Sequence, residues 1–272
     1  MIKYISDEND IIDFILSMYN DEYFSNPMLK TKEQLASNLL RPMFDSNDFV
    51  IGIYNDNELI GVFSCIVEPE EKYLELLLAY SKKKEAYLEF ISFLNEKYKG
   101  YQCDLLINPK NYIFYELLKQ CGAIFEPIQK YMVLQYIPNY FNPHEIILYD
   151  DEYKDEYLDI HMKDIYWTGE KVIEAKERFR TLLALHNNKV VGYIDFTYSY
   201  MINEPYSLFV KEEYRNKGFG KALLFEAIIS NCPRGMSLRV DYDNYAAIHI
   251  YEQLGFKIDE SNDSMLVRLI IN

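Results

Sequence analysis

The stretch Arg215-Asn216-Lys217-Gly218-Phe219-Gly220-Lys221-Ala222 carries the most chemical information in this chain of 272 residues. It follows a β-rich run at 206–210 and opens a segment in which Phe219, Ala222, Leu223, Ala227 and Ile228 share one helical face. A strand that turns through two glycines into a helix presents backbone N–H groups that no intrahelical carbonyl satisfies, at the positive end of the helix dipole. That is a cradle for an anion, and Arg215, Lys217 and Lys221 add cations suited to a pyrophosphate. The glycines alone would equally suit a tight turn that holds nothing. Two other phosphate motifs fail. A nucleoside-triphosphate loop needs four residues between its glycines and a Ser or Thr after its Lys, and the dinucleotide fingerprint needs a third glycine where Ala222 and Leu223 stand.

Working outward, β-rich runs at 180–186 and 190–198 flank the polar turn Asn187-Asn188-Lys189, the pattern of a hairpin. Downstream, 237–240 reads as strand, Asn244 as the N-cap of a helix over 245–254, and Gly255 as its left-handed terminus, with strands at 256–258 and 265–271. The first half repeats this order. Asn111, Tyr112, Gln120 and Gly122 match Asn244, Tyr245, Gln253 and Gly255 at one constant offset, and 48–54, Asn55-Asp56-Asn57 and 59–67 reproduce the hairpin. The fold class expected is α/β (α+β), two tandem domains, each a mixed, mostly antiparallel sheet flanked by helices. The domains are expected at 1–136 and 144–272, joined by a linker at 137–143 next to Pro138 and Pro143.

Composition narrows the function. With 49% hydrophobic residues the chain can bury a sizeable core, and 28 basic against 43 acidic residues give a net charge of −15. Such a field opposes nucleic acid and anionic membrane surfaces and favours amine partners. No apolar run is long enough to span a bilayer and the N-terminus lacks a signal pattern, so a cytoplasmic location is expected. Neither the four cysteines nor the four histidines are spaced as metal ligands, and no metal is expected.

Arg215, Gly218 and Gly220, the preceding Leu208-Phe209-Val210, and the later Asn244-Tyr245-Ala246-Ala247-Ile248-His249-Ile250-Tyr251-Glu252-Gln253-Leu254-Gly255-Phe256 together resemble the GNAT superfamily of N-acetyltransferases. The likeness covers residues 144–272 and implies a tandem member with a degenerate N-terminal copy. It implies acetyl-CoA as cosubstrate, a small amine or peptide amine as acceptor, and direct transfer, in a monomer or homodimer. The alternative is a catalytically weak GNAT-fold protein that binds acyl-CoA or a partner. By resemblance Leu208, Phe209 and Val210 line the cofactor arm, with the Val210 N–H as oxyanion donor. Arg215, Asn216, Lys217, Gly218, Phe219, Gly220 and Lys221 hold the pyrophosphate, and Asn244 meets the arm. Tyr251 protonates the departing thiolate. From the residues alone, Asn244 also reads as a cap and Tyr251 as core. A carboxylate must take the amine proton; Glu204 is ranked first, with Asp241 and Asp243 as rivals. Trp167-Thr168-Gly169 is a candidate pocket lining. At the loop position the first copy has Ser81, Lys84 and Ala86 in place of Arg215, Gly218 and Gly220, and Leu118 in place of Tyr251, so that copy is expected not to catalyse.

Overall fold

The computed structural model describes residues 1–29, 32–163, 165 and 167–272, which divide into two compact units. One comprises Met1–Lys130 with Glu260–Asn272, the other Tyr131–Asp259. This departs from the division expected at 137–143. Residues 131–136 belong with the second unit and the C-terminal residues from Glu260 with the first.

The first unit runs β1 (Ile2–Tyr4), α1 (Ile12–Leu16), α2 (Lys32–Leu35), α3 (Arg41–Phe44), β2 (Phe49–Asn55), β3 (Glu58–Glu68), β4 (Tyr73–Tyr80), α4 (Lys84–Lys97), β5 (Gln102–Ile107), α5 (Tyr112–Gln120) and β6 (Ile124–Phe125). Among the described residues its strands, with the last strand of the chain, β15 (Met265–Ile270), form one sheet in the order β1-β2-β3-β4-β5-β15-β6. Only β4 and β5 pair in parallel. β15 lies antiparallel between β5 and β6, with Val267 opposite both Leu105 and Phe125. The sequence marks residues 265–271 as strand, but a period of two says nothing about which sheet the strand joins.

The second unit runs β7 (Gln129–Leu134), β8 (Glu145–Leu148), α6 (Lys154–Ile160), α7 (Gly169–Glu174), β9 (Phe179–His186), β10 (Lys189–Thr197), β11 (Ile202–Asn203), β12 (Pro205–Val210), α8 (Phe219–Asn231), β13 (Gly235–Asp241), α9 (Tyr245–Gln253) and β14 (Phe256–Ile258). The β9–β10 hairpin turns on Asn187 and Asn188 at φ 50° and 58°, and β2–β3 on Asp56 and Asn57 at 46° and 70°. Positive φ at both central residues matches the right-handed twist of paired strands, and Asn and Asp tolerate it best among non-glycine residues. β9 and β10 are buried on both faces. Leu182, Ala184, Ile194 and Phe196 pack under Leu223, Ala227 and Ile228 of α8, while Leu183, Leu185 and Tyr193 pack against Tyr157 of α6. Each of the leucine, isoleucine and phenylalanine side chains among these stabilises the unit by about 1.5–3 kcal/mol through removal from water.

The strands of this unit fall into two sheets, β12-β10-β9-β8 and β11-β13-β7-β14. β11 pairs in parallel with the start of β13 through Ile202 and Asn203, but β12, which begins two residues later, belongs to the other sheet. The chain thus forks at Glu204, and among the described residues no strand lies beside the edge of β12 beyond the fork.

Candidate active site

The orientation of that open edge follows from ladder geometry. The Lys211 N–H donates to the Val191 carbonyl at 2.9 Å, and residues opposite one another in an antiparallel pair alternate between bonded and non-bonded. The next bonded pair is Tyr193 with Phe209, so Leu208 and Val210 turn their N–H and C=O groups away from β10. The Val210 carbonyl accepts from Nε of Arg215 at 3.1 Å, consistent with this direction. Unpaired strand edges are templates for an extended, hydrogen-bonding chain.

The helix start beside this edge has no side-chain cap. Gly218 occupies the N-cap position at φ 92°, a left-handed conformation costly for other residues. Its carbonyl accepts from the Ala222 N–H at 2.9 Å, and the N–H groups of the preceding first turn have no intrahelical acceptor. His144 supports the loop from below: Nε2 donates to the Lys217 carbonyl at 2.9 Å, and the ring stacks on Phe219 at 3.9 Å. Asn216 is exposed at φ 58°, and Lys217 lies over the Tyr214 ring. Lys221 donates to Gln253 of α9 at 2.7 Å.

Between β12, the start of α8 and one side of α9 lies an open cleft of ≈ 390 Å³. It is lined by Leu208, Phe209, Val210, Arg215, Asn216, Gly218, Phe219, Gly220, Lys221 and Tyr251 among others. A Cβ added to Gly220 would come no closer than 3.7 Å to the protein, so the protein itself leaves room there for an approaching ligand. Uncapped N–H donors, three cations and a glycine-lined approach fit a pyrophosphate. Burial pushes the Tyr251 phenol above its ordinary value, which keeps it in the acid form. Asn244 does not line the cleft; it caps α9, accepting from the Ala247 N–H at 3.2 Å. Glu204 sits at the fork, where its carboxylate accepts from Ser237 Oγ at 3.1 Å and from Arg239 at 2.9 Å, both across on β13. Asp243 is exposed at the end of β13, near Asp241.

Residues 144–256 match the model of the acetyltransferase (GNAT) family. Residues 144–256 are a GNAT domain. Solved structures resemble the whole chain in fold. A GCN5-related N-acetyltransferase from Sphaerobacter thermophilus superposes with TM-score 0.71 at 15% identity, covering 100% of this chain and 96% of its own. A tandem GNAT protein from the clavulanic acid biosynthesis pathway gives 0.61 at 12%, covering 100% and 99%. A GNAT-family acetyltransferase from Colwellia psychrerythraea gives 0.56 at 14%, covering 100% of both chains. No curated protein matches the sequence. The chain therefore has a tandem GNAT fold.

The position in the first unit that corresponds to the GNAT loop is packed with its own side chains. Ser81 Oγ donates to the Ile60 carbonyl at 2.7 Å and accepts from the Lys83 N–H at 2.9 Å. Tyr87, fully buried, donates to the Ser81 carbonyl at 2.8 Å, accepts from Asn111 at 2.9 Å and stacks on Phe114 at 4.4 Å.

Three features of the GNAT domain escaped sequence reasoning. His144 carries no local motif, and Arg239 shows its role only across the fork. The third left a signal: Asp195 interrupts the apolar run of β10. It is fully buried, and burial pushes its carboxyl up, while hydrogen bonds from His161 (3.0 Å), Thr181 (2.6 Å) and Tyr157 (3.1 Å) oppose that shift. His161 Nδ1 must donate to the Met162 carbonyl at 2.8 Å, so one proton is shared between Nε2 and Asp195.

Proposed function

We propose that residues 131–259 catalyse acetyl-CoA-dependent N-acetylation of an amine by direct transfer. The observation that carries this reading is the open edge of β12 beside the uncapped start of α8, with Tyr251 in the same cleft. Acetyl-CoA supplies the activated thioester. Leu208 and Val210 would pair their outward backbone groups with its extended arm. The first-turn N–H groups of α8, with Arg215, Lys217 and Lys221, would hold its pyrophosphate. The Val210 N–H points into the cleft from a rigid strand, so it can meet negative charge that develops on the carbonyl oxygen without reorganising. Tyr251, kept neutral by burial, is the proton donor to the leaving thiolate. Glu204 is the proposed acceptor of the amine proton, and its bonds from Ser237 and Arg239 fix the carboxylate at the fork.

Calorimetry with acetyl-CoA, followed by thiol release with a panel of amines, tests the reading. Micromolar binding with turnover on at least one amine supports it. Absence of heat removes acetyl-CoA, and binding without turnover leaves an acyl-CoA-binding protein instead.

A further inference from the structure

The chain has seven arginines. Three meet carboxylates: Arg41 with Asp48, Arg239 with Glu204 and Arg268 with Asp104. In a chain of net charge −15, the four that meet none among the described residues stand out. One is Arg215, at the loop. The other three, Arg178, Arg180 and Arg234, gather at the opposite end of the GNAT domain.

Arg180 and Arg234 lie 4.3 and 4.4 Å from the centre of one ring, that of Tyr198. Their guanidinium carbons can be no further apart than the sum of those distances. Both residues and the ring are half-buried, so neither charge is freely screened by water. Two like charges within that distance repel, and a bound anion would offset that repulsion further than the ring of Tyr198 does. The arrangement is fixed rather than incidental. Arg180 Nη1 donates to the Lys176 and Phe179 carbonyls at 2.6 and 3.2 Å. The segment bearing Arg234 is tied down by Asn231, which donates to the Arg234 and Gly235 carbonyls and accepts from Asn203 at 2.8 Å; both asparagines are fully buried. Next to Arg180, Arg178 lies 4.8 Å over the Trp167 ring with its Nε buried and without an acceptor.

We infer that Arg180 and Arg234, both held over the ring of Tyr198, form an oxyanion site for a carboxylate or phosphate, distinct from the loop at Arg215. The thirteen residues of α8 separate the two places by about 20 Å. The site also lies near the fork: Arg180 is opposite Phe196 on β10, and Phe196 is opposite Pro205 on β12, the residue after Glu204. Two strand spacings amount to about 10 Å, so the oxyanion would be the far end of a small acceptor whose amine reaches Glu204, or a free anion. The site itself rests on charge and geometry, and only the first of these sources rests on the acetyl-transfer reading.

Seven arginines give seven Nε–H signals in a nitrogen–proton correlation spectrum, assigned by the signal missing in Arg180→Gln, Arg234→Gln and Arg215→Gln. Titration of the full chain with inorganic phosphate is expected to shift the Arg180 and Arg234 signals along one saturating curve, and Arg234→Gln to abolish the Arg180 shift. Arg180 and Arg234 signals that stay still while Arg215 responds would overturn the site, as would an Arg180 shift unchanged in Arg234→Gln. None of these readings needs turnover. The source is read from kcat/KM for 6-aminohexanoate against its amide. A ratio that falls about tenfold in Arg234→Gln assigns the site to the acceptor's own anion. An unchanged ratio, with the phosphate shifts intact, assigns it to a free anion.

Discussion

Replacing Gly192 by alanine tests whether the site depends on the placement of β12. A Cβ at Gly192 would lie 2.6 Å from the Phe209 carbonyl oxygen and 3.2 Å from Cα of Val210, both backbone atoms of β12. Ordinary contact begins near 3.4 Å, so β12 must move about 0.8 Å away from β10, toward the cleft. Overpacking of this kind costs about 1–3 kcal/mol, or roughly 2–4 °C of Tm per kcal/mol in a domain of this size. Catalysis should suffer more, because a reacting group misplaced by close to 1 Å loses up to ~10²-fold in rate. The control is Gly61→Ala, where the new Cβ meets that of Ala86 at 2.8 Å in the first unit. Its stability loss should be of the same order, with kcat/KM for acetyl transfer unchanged. Thermal unfolding and thiol-release kinetics on both variants decide the matter. A Gly192→Ala protein that is destabilised yet transfers at the wild-type rate, or a Gly61→Ala protein equally slowed, would refute the reasoning.

Tyr251→Phe should lower kcat about 10²-fold while KM for acetyl-CoA changes little, and an unaltered kcat removes Tyr251 from proton transfer. Asp195→Ala leaves Tyr157, Thr181 and His161 without their common acceptor and should cost about 3–5 kcal/mol in urea unfolding, against less for Asp195→Asn; equal losses would argue against the shared proton. Burial pushes Tyr149 up to about 12 and raises Tyr157 and Tyr193 as well. Above pH 10 the unfolded chain releases these protons while the folded chain keeps them, so stability that is complete below pH 10 falls by about 1.4 kcal/mol per pH unit per tyrosine. Urea midpoints that stay level from pH 8 to 11 would contradict this.

The sequence was most legible where chemistry is local. Asn111 and Asn244, matched at a constant offset, both cap helices, accepting from Phe114 at 3.1 Å and Ala247 at 3.2 Å. Gly122 and Gly255, matched with them, both adopt positive φ, at 78° and 90°. The loop is equally local, since two glycines and a following amphipathic run define it. What could not be read depends on partners distant in the chain. Ser237 and Arg239 reach Glu204 only because the strands fork, and the Asp195 cluster gathers residues from α6, β9 and β10. The unit boundary failed for the same reason: alternation identifies β15 as a strand, but its neighbours β5 and β6 lie more than a hundred residues earlier.

That last strand has a consequence for biogenesis. β6 is joined to its sheet through β15, so the first unit cannot close until residues 265–270, which follow the whole second unit, have been synthesised. A nascent chain therefore carries an open edge at β5 while the whole GNAT domain is made, and the step that seals it is a closure of very long sequence separation, the slow kind. No single cut yields two complete halves. A deletion of residues 265–272 would remove the whole of β15, and with it the link between β5 and β6, from a unit whose other strands lie more than a hundred residues earlier.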